Sequence, residues 1–204
     1  MIENELFFKN NFRASFTWKD GSHLRGGTVR PDNQEQIAKG LQDLSKESIR
    51  NRFLGSKRAF SPQELRYLTE LDGINHYAFG LEEQKTPNRG VGIIRLVRSS
   101  SVPSEGEIAI TIIDEYQKHG LGRFLMNIII CAALERGIKT LSLSFLPHNT
   151  GIERLIQSFG VTRPGLITKD FVQLYMDIDK IDLKTIKSQL APYLPQIEIF
   201  HSKI

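Results

Sequence analysis

The chain has 204 residues, 40% hydrophobic and 25% charged, as expected for a globular protein with a core of its own. No apolar run reaches the roughly 20 residues of a membrane span, and no signal segment opens the chain, so we expect a cytoplasmic protein. The net charge of +4 suits a polyanionic small molecule. Nucleic acid is not predicted, since Lys/Arg stripes with interleaved aromatics are absent from the sequence.

The first part of the chain predicts a β-hairpin followed by three short helices. Strands 15–18 and 24–30 flank a tight turn, and Pro31 ends the second strand. Each helix then begins at a capping signal, because a side-chain oxygen there can accept a hydrogen bond from the first free amides. These signals are Asp32 with Glu35, Ser45, and Ser61 with Pro62 and Glu64.

The rest of the chain alternates strands and helices without a clear linker. The periodicity predicts strands at 76–81, 91–97, 108–113, 140–145 and 171–178, and helices at 121–136, 150–159 and 183–190. A final strand is predicted around residues 197–200. We therefore expect one domain over residues 1–204, with a core at about 24–178, an N-terminal hairpin and a C-terminal helical tail.

A phosphate-binding loop is predicted between the strand 108–113 and the helix that follows it. The segment 117–122 is polar and contains Gly120 and Gly122, so two side chains are missing from the approach to the helix. The first amides of a helix have no intrahelical partners, and the helix dipole places partial positive charge there. A pyrophosphate can bind on such amides, with Lys118 as a nearby cation.

The spacing Gln117-x-x-Gly120-x-Gly122 after a strand resembles the acyl-CoA loop of the GNAT acyltransferase superfamily. The order of predicted elements is also that of the GNAT fold, a mixed, mostly antiparallel α/β (α+β) sheet flanked by helices. A narrower resemblance is to the acetyltransferase domain of bacterial protein-lysine acetyltransferases of the Pat type. The segments that carry it are 44–48 with Arg52-Phe53, 61–65 with Leu68-Thr69, and 107–109.

The resemblance implies acetyl-CoA as co-substrate, no metal, and a set of cofactor-binding positions. In the superfamily the pantetheine arm lies along the central strand, the pyrophosphate lies on the loop, and an Asn after the next strand touches the arm. At Asn149 the alternative is a helix cap or loop turn. The implied residues are Ile112, Ile113, Gln117, Lys118, His119, Gly120, Leu121, Gly122 and Asn149.

The resemblance also places the catalytic base at Glu107, at the start of the central strand. Acyl transfer needs a neutral amine, and a lysine amine has a pKa near 10.4, so a base must take its proton. The alternative for Glu107 is a solvated glutamate that closes a loop. The tyrosine that many GNAT enzymes use as general acid is replaced by Ile156, which leaves Tyr116, His148 and Tyr175 as unranked candidates.

The sequence therefore predicts an acetyl-CoA-dependent N-acetyltransferase that acts by direct transfer, with a protein lysine ahead of a small amine as acceptor. The only cysteine, Cys131, lies on an apolar helix and is expected to pack in the core. The alternatives are an acetyltransferase of small-molecule amines and a non-catalytic acyl-CoA-binding or sensing module. The oligomeric state stays open.

Overall fold

The computed structural model describes residues 6–86 and 89–199, without the side chains of residues 198 and 199. Eight strands form one sheet in the order β1-β2-β3-β4-β5-β6-β8-β7, in which only β5 and β6 pair in parallel. This mixed, mostly antiparallel sheet confirms the predicted fold class. The strands are β1 (Arg13–Thr17), β2 (His23–Thr28), β3 (His76–Glu83), β4 (Gly90–Arg98), β5 (Glu105–Ile112), β6 (Thr140–Phe145), β7 (Thr162–Ile167) and β8 (Val172–Asp177).

The helices cover both faces of the sheet. They are α1 (Gln34–Gly40), α2 (Lys46–Phe53), α3 (Pro62–Thr69), α4 (Leu121–Glu135), α5 (Thr150–Gln157) and α6 (Leu183–Leu190). A side chain at Gly92 of β4 would meet Leu125 of α4, whereas Ile93 faces the α1–α2 side. Successive strand residues point to opposite faces, so the sheet separates α4 from α1 and α2. Within the described ranges, no helix has the length and apolar character for a membrane crossing.

Two of the three predicted capping signals are confirmed, and one is wrong. Ser45 accepts from the amide of Ser48 at 3.1 Å, and Ser61 accepts from the amide of Glu64 at 3.2 Å. The first α-helix instead begins at Gln34, one residue later than a cap at Asp32 would place it, after the 3-10 turn Pro31–Asn33. Asp32 does not cap it, because its carboxylate forms an ion pair with Arg30 at 3.0 Å.

The sequence prediction also missed one strand and placed another wrongly. Strand β7 lies at the edge of the sheet, where Pro164 lacks an amide donor without interrupting a central ladder. Pro164 and Gly165 are both disfavoured inside strands, so the sequence shows no strand pattern at this position. The predicted strand 197–200 is wrong as far as it is described, since residues Pro195–Ile199 form a 3-10 turn; Phe200 lies outside the described residues.

The parallel pairing of β5 and β6 ends after three residue pairs. Glu105, Gly106 and Glu107 pair with residues 140–142, and β5 then leaves β6 while it stays paired with β4 as far as Ile112. The sheet is therefore open along one side of β5. This opening is the feature that positions the site described below.

Cys131 lies on α4 with no solvent exposure, as predicted for a core residue. Burial is the main cause that raises the pKa of its thiol, with the nearby Glu135 as a second cause. A neutral, enclosed thiol is neither a good nucleophile nor accessible to an acyl-CoA.

Cys131→Ala should therefore lower the free energy of unfolding by only about 1 kcal/mol, as for an ordinary core truncation. Acyl transfer should be retained, because direct transfer from CoA needs no acyl-enzyme. Urea unfolding and intact-mass spectrometry during turnover check both expectations. Accumulation of an acyl-Cys131 species in the wild type would contradict this account.

Candidate active site

A cleft of about 710 Å³ opens where β5 and β6 separate. One wall is the freed part of β5, residues 107–112, and the opposite wall is the end of β6, residues 143–145. The loop before α4 and the first turn of α5 close one end, and α2 runs along the cleft from Ser48, which contacts the loop, to Arg52 near Glu107. An extended chain could lie along β5 in this cleft, because that strand has no neighbour on this side.

The loop before α4 has the geometry of an anion-binding turn. Lys118 and Gly120 both have positive φ angles, 62° and 91°, which turn the chain sharply into the helix. Gly120 is the residue before the first helical turn, and no side chain in the described parts of the chain caps that turn. The first amides of this 15-residue helix therefore remain available beside the cleft.

Gly122 is required by close packing rather than by its backbone angles. A Cβ at this position would lie 3.1 Å from a methyl group of Leu155 on α5. The missing side chain lets α4 and α5 approach each other at the end of the cleft. The two glycines thus have different roles, one in the turn and one in helix packing.

Gln117 supports the loop from within. Its side-chain amide donates to the carbonyl of Ile112 and to the hydroxyl of Ser48, both at 3.0 Å. Ser48 in turn donates to the carboxylate of Asp114 at 3.0 Å, and Ser45 donates to the same carboxylate at 2.7 Å. Burial alone would raise the pKa of Asp114, but these hydrogen bonds outweigh it and lower the pKa, so the charged form fixes α2 to the loop.

The N-terminal hairpin supports the loop from outside. The indole of Trp18 donates to the carbonyl of His119 at 3.1 Å, and Asp20 lies 3.7 Å from the His119 ring. Lys19 extends over Gly120, since its amine lies 2.8 Å from where a Cβ of Gly120 would be. The position of Lys19 could not be predicted from the sequence, because 101 residues separate Trp18 from His119 and no local pattern joins them.

Most of the predicted cofactor positions, but not all, lie at the cleft. Those among its described lining residues are Ile112, Gln117, Lys118, Gly120, Gly122 and Asn149. Ile113 is not, since it is buried and its amide donates to the carbonyl of Val91. Leu121 is buried in the core, and His119 lies beside the cleft, under the hairpin. Asn149 also caps α5, accepting from the amide of Ile152 at 3.3 Å.

Comparison with known protein families shows to which family the chain belongs. The Acetyltransferase (GNAT) family matches residues 46–161, more than half of the chain, and this stretch contains the loop and the strands that separate. The chain belongs to the GNAT acetyltransferase family. The matched range includes α2 and α4, so both of these helices beside the cleft are part of the family fold.

Relatives and solved structures agree with this GNAT assignment. The Acetyltransferase Pat of Mycolicibacterium smegmatis is 25% identical over 169 residues, 83% of this chain and 48% of the relative. The chain thus spans about half the length of that curated relative. The GNAT domain of S. lividans PAT has the same fold, with a TM-score of 0.72 at 20% identity over 81% of this chain and 96% of that domain.

A second similar structure was solved with its cofactor. It is an acetyltransferase from Salmonella typhimurium described as putative and bound to acetyl-CoA, with a TM-score of 0.60 at 15% identity. The alignment covers 77% of this chain and 95% of that chain. At this identity the likeness shows the shared GNAT fold alone.

Glu107 lies at the cleft, at the last paired position of β5 and β6. Its side chain is exposed, so an incoming amine can reach it. The guanidinium of Arg52 on α2 is its electrostatic neighbour. The structure thus brings the predicted base to the point where the strands separate.

Ile156, at the position of the usual GNAT tyrosine, is only 1% exposed and packs in the core. Tyr116, His148 and Tyr175 are not among the described residues that line the cleft. Tyr116 is buried, with its pKa raised by desolvation and by Glu83, and Tyr175 packs against Arg163, whose guanidinium lies 4.4 Å from the ring. The three candidates for the general acid thus lie away from the cleft.

A second, smaller cavity of about 140 Å³ lies under α1–α3, on the face of the sheet opposite α4. Arg52, Phe53, Ala109 and Thr111 line both this cavity and the cleft, so they form the boundary between the two. Arg95 of β4 lies in the wall of the cavity and is only 6% exposed. Its guanidinium donates to the carbonyl of Leu68 and to the Nε2 atom of His76.

His76 is held neutral by this arrangement. Desolvation, and next the positive charge of Arg95, lower its pKa from 6.5 to about 4. The unfolded chain therefore takes up a proton at His76 as the pH falls from 6.5, whereas the folded protein does so only near pH 4. Stability is lost over that interval, because the unfolded state binds more protons.

In His76→Gln, the free energy of unfolding should fall less between about pH 6.5 and pH 4 than in the wild type, because this proton uptake disappears. The control is His148→Gln, which removes an exposed imidazole outside the cavity. Urea unfolding of the three proteins at several pH values gives the slopes. Equal slopes for wild type and His76→Gln would contradict the half-buried, neutral imidazole.

Proposed function

We propose that the protein transfers an acetyl group from acetyl-CoA to an amine, with the side chain of a protein lysine as the leading acceptor. The observation that carries the proposal is the cleft along the unpaired side of β5, which ends at the uncapped first turn of α4. The pantetheine arm can pair with the free strand edge, and the pyrophosphate can bind the helix amides. Lys118 and Arg123 line the cleft and add positive charge for a polyanion.

The chemistry proposed for the site is direct transfer. The amine nitrogen attacks the thioester carbonyl, a C–N bond forms, the C–S bond breaks, and the amine proton passes to the carboxylate of Glu107, directly or through a water. CoA leaves as a thiolate that takes a proton from solvent. No protein acid is required, in keeping with the core position of Ile156.

A protein lysine is favoured by the resemblance to Pat-type enzymes and by the exposure of Glu107. A side chain from another protein can reach an exposed carboxylate at the cleft. A small-molecule amine is the alternative acceptor. Intact-mass spectrometry of candidate proteins and amines, incubated with the enzyme and acetyl-CoA, distinguishes the two.

A second candidate function is a non-catalytic acyl-CoA-binding module, favoured by the buried Ile156 where a tyrosine acid is common. Such a module would keep the cofactor cleft and release no CoA. CoA release, followed with a thiol reagent across a panel of amines, is therefore the deciding measurement. Binding without release for every amine would favour the module.

Lys19→Ala should weaken CoA binding by about three- to ten-fold, as expected for one partly exposed charge-assisted contact to a phosphate. The loss should shrink at high salt, because exposed charge contacts are screened. The control is Lys169→Ala, which removes an exposed lysine from the turn between β7 and β8. Calorimetric titration with CoA measures both, and unchanged affinity in the Lys19 variant would show that this amine does not contact the cofactor.

Glu107→Gln should lower turnover about a hundred- to ten-thousand-fold while acetyl-CoA affinity stays nearly constant, because the variant keeps the shape and loses the proton acceptor. High pH should partly restore its rate, since more of the amine is then neutral. Glu105→Gln is the matched control, on the same strand but outside the cleft lining. Steady-state kinetics of folded protein, confirmed by thermal unfolding, give the comparison.

A Glu107→Gln rate within a few-fold of wild type at neutral pH would exclude Glu107 as the base. A purely structural glutamate would instead reduce stability with little effect on the rate per folded molecule. The two results are separated by measuring turnover and unfolding on the same preparations.

A further inference from the structure

Arg52 occupies an unusual position between the cleft and the cavity under α1–α3. It lies on α2, lines both spaces, and is partly buried. Burial lowers the pKa of its guanidinium, and the attraction of Glu107 opposes that shift only in part. Its nearest aromatic contact is the ring of Phe53, at 5.1 Å.

The other charged groups of this cavity already have partners. Arg13 donates to the carbonyls of Phe12 and Thr28, at 2.8 and 2.6 Å. Arg95 donates to Leu68 and His76, as described above. The carboxylate of Glu82 forms an ion pair with Arg25 and accepts from Gln36.

Within residues 6–86 and 89–199, Arg52 is thus the charged group of the cavity that makes neither a hydrogen bond nor an ion pair within 4.0 Å. A guanidinium carries five donors, and leaving them without acceptors in a low-dielectric site costs free energy. The described lining of the cavity contains four guanidinium groups and one carboxylate, which is already paired. The cavity therefore attracts negative charge.

The size and shape of the cavity also fit a small anionic group. A volume of about 140 Å³ far exceeds the roughly 10–15 Å³ that one water needs on the same measure. It can thus hold several non-hydrogen atoms. The planar fork of a guanidinium matches a carboxylate, which accepts two parallel hydrogen bonds.

We propose that Arg52 binds a carboxylate of the substrate in this cavity, a second subsite beside the point of acyl transfer. The proposal rests on the acyltransferase function above and adds a specificity-determining residue. The carboxylate has two chemical sources. It belongs either to the far end of a dicarboxylic acyl group on CoA or to the α-carboxyl group of an amino-acid acceptor.

Equilibrium binding tests the subsite without relying on turnover. The first arm compares CoA thioesters of acetyl, butyryl and succinyl groups, in which butyryl matches the chain length of succinyl without its charge. The second arm compares L-lysine with L-lysinamide in the presence of CoA, a pair that differs only in the carboxylate. Both arms are measured by calorimetry on wild type, Arg52→Gln and the control Arg50→Gln, an exposed position on the same helix.

The expected result is a preference of about ten-fold or more for the carboxylate-bearing partner in one arm, the size typical of a hydrogen bond to a charged group. The preference should disappear in Arg52→Gln and persist in Arg50→Gln. A preference for succinyl-CoA assigns the subsite to the acyl group, and a preference for lysine assigns it to the acceptor.

The subsite is overturned if neither arm shows a preference for the carboxylate. It is also overturned if a preference survives in folded Arg52→Gln. Thermal unfolding of each variant shows whether the protein is folded. CoA release from acetyl-CoA by the wild type is recorded separately, because its absence for every amine would count against the acyltransferase and not against the carboxylate site. A preference lost in Arg52→Gln would support the subsite even then.

Discussion

The site depends on the early end of one parallel strand pairing. β5 pairs with β6 only through Glu107 and stays paired with β4 as far as Ile112, so half of a central strand has a free edge inside the fold. A free edge exposes backbone donors and acceptors that require partners. The loop, α2 and the acidic residue at the cleft are all arranged around this edge, and a substrate that pairs with it would complete the sheet.

Features that depend on neighbouring residues could be predicted from the sequence. Ser45 and Ser61 cap their helices as expected, because a cap needs only a side chain and an amide three residues later. The bounds of α6, Leu183–Leu190, match the prediction. The loop could be recognised because Gly120 serves a need close in sequence, a positive φ angle at the entry into α4, whereas the packing of Gly122 against Leu155 became clear only from the structure.

Features that depend on distant contacts could not be predicted in this way. Lys19 reaches Gly120 only because the hairpin packs on the loop, and Arg52 gains its position only once α2 lies across the sheet. The alternation of polar and apolar residues also failed to predict β7. This strand lies at the edge of the sheet, where Pro164 is tolerated. Asn149 shows the limit of assigning one role to one residue, since it caps α5 and also lines the cleft.

Helix α2 connects two parts of the site, the loop before α4 and the surroundings of Glu107. Its start is fixed by Ser45 and Ser48 to Asp114 in the loop, and its end carries Arg52 beside Glu107. The helix has only eight residues and no buried residue of its own, so few other contacts hold its tilt. A molecule that tightens the loop would therefore also set the orientation of Arg52. A change at Asp114 would thus be transmitted along one short helix to the neighbourhood of Glu107, at the other end of β5.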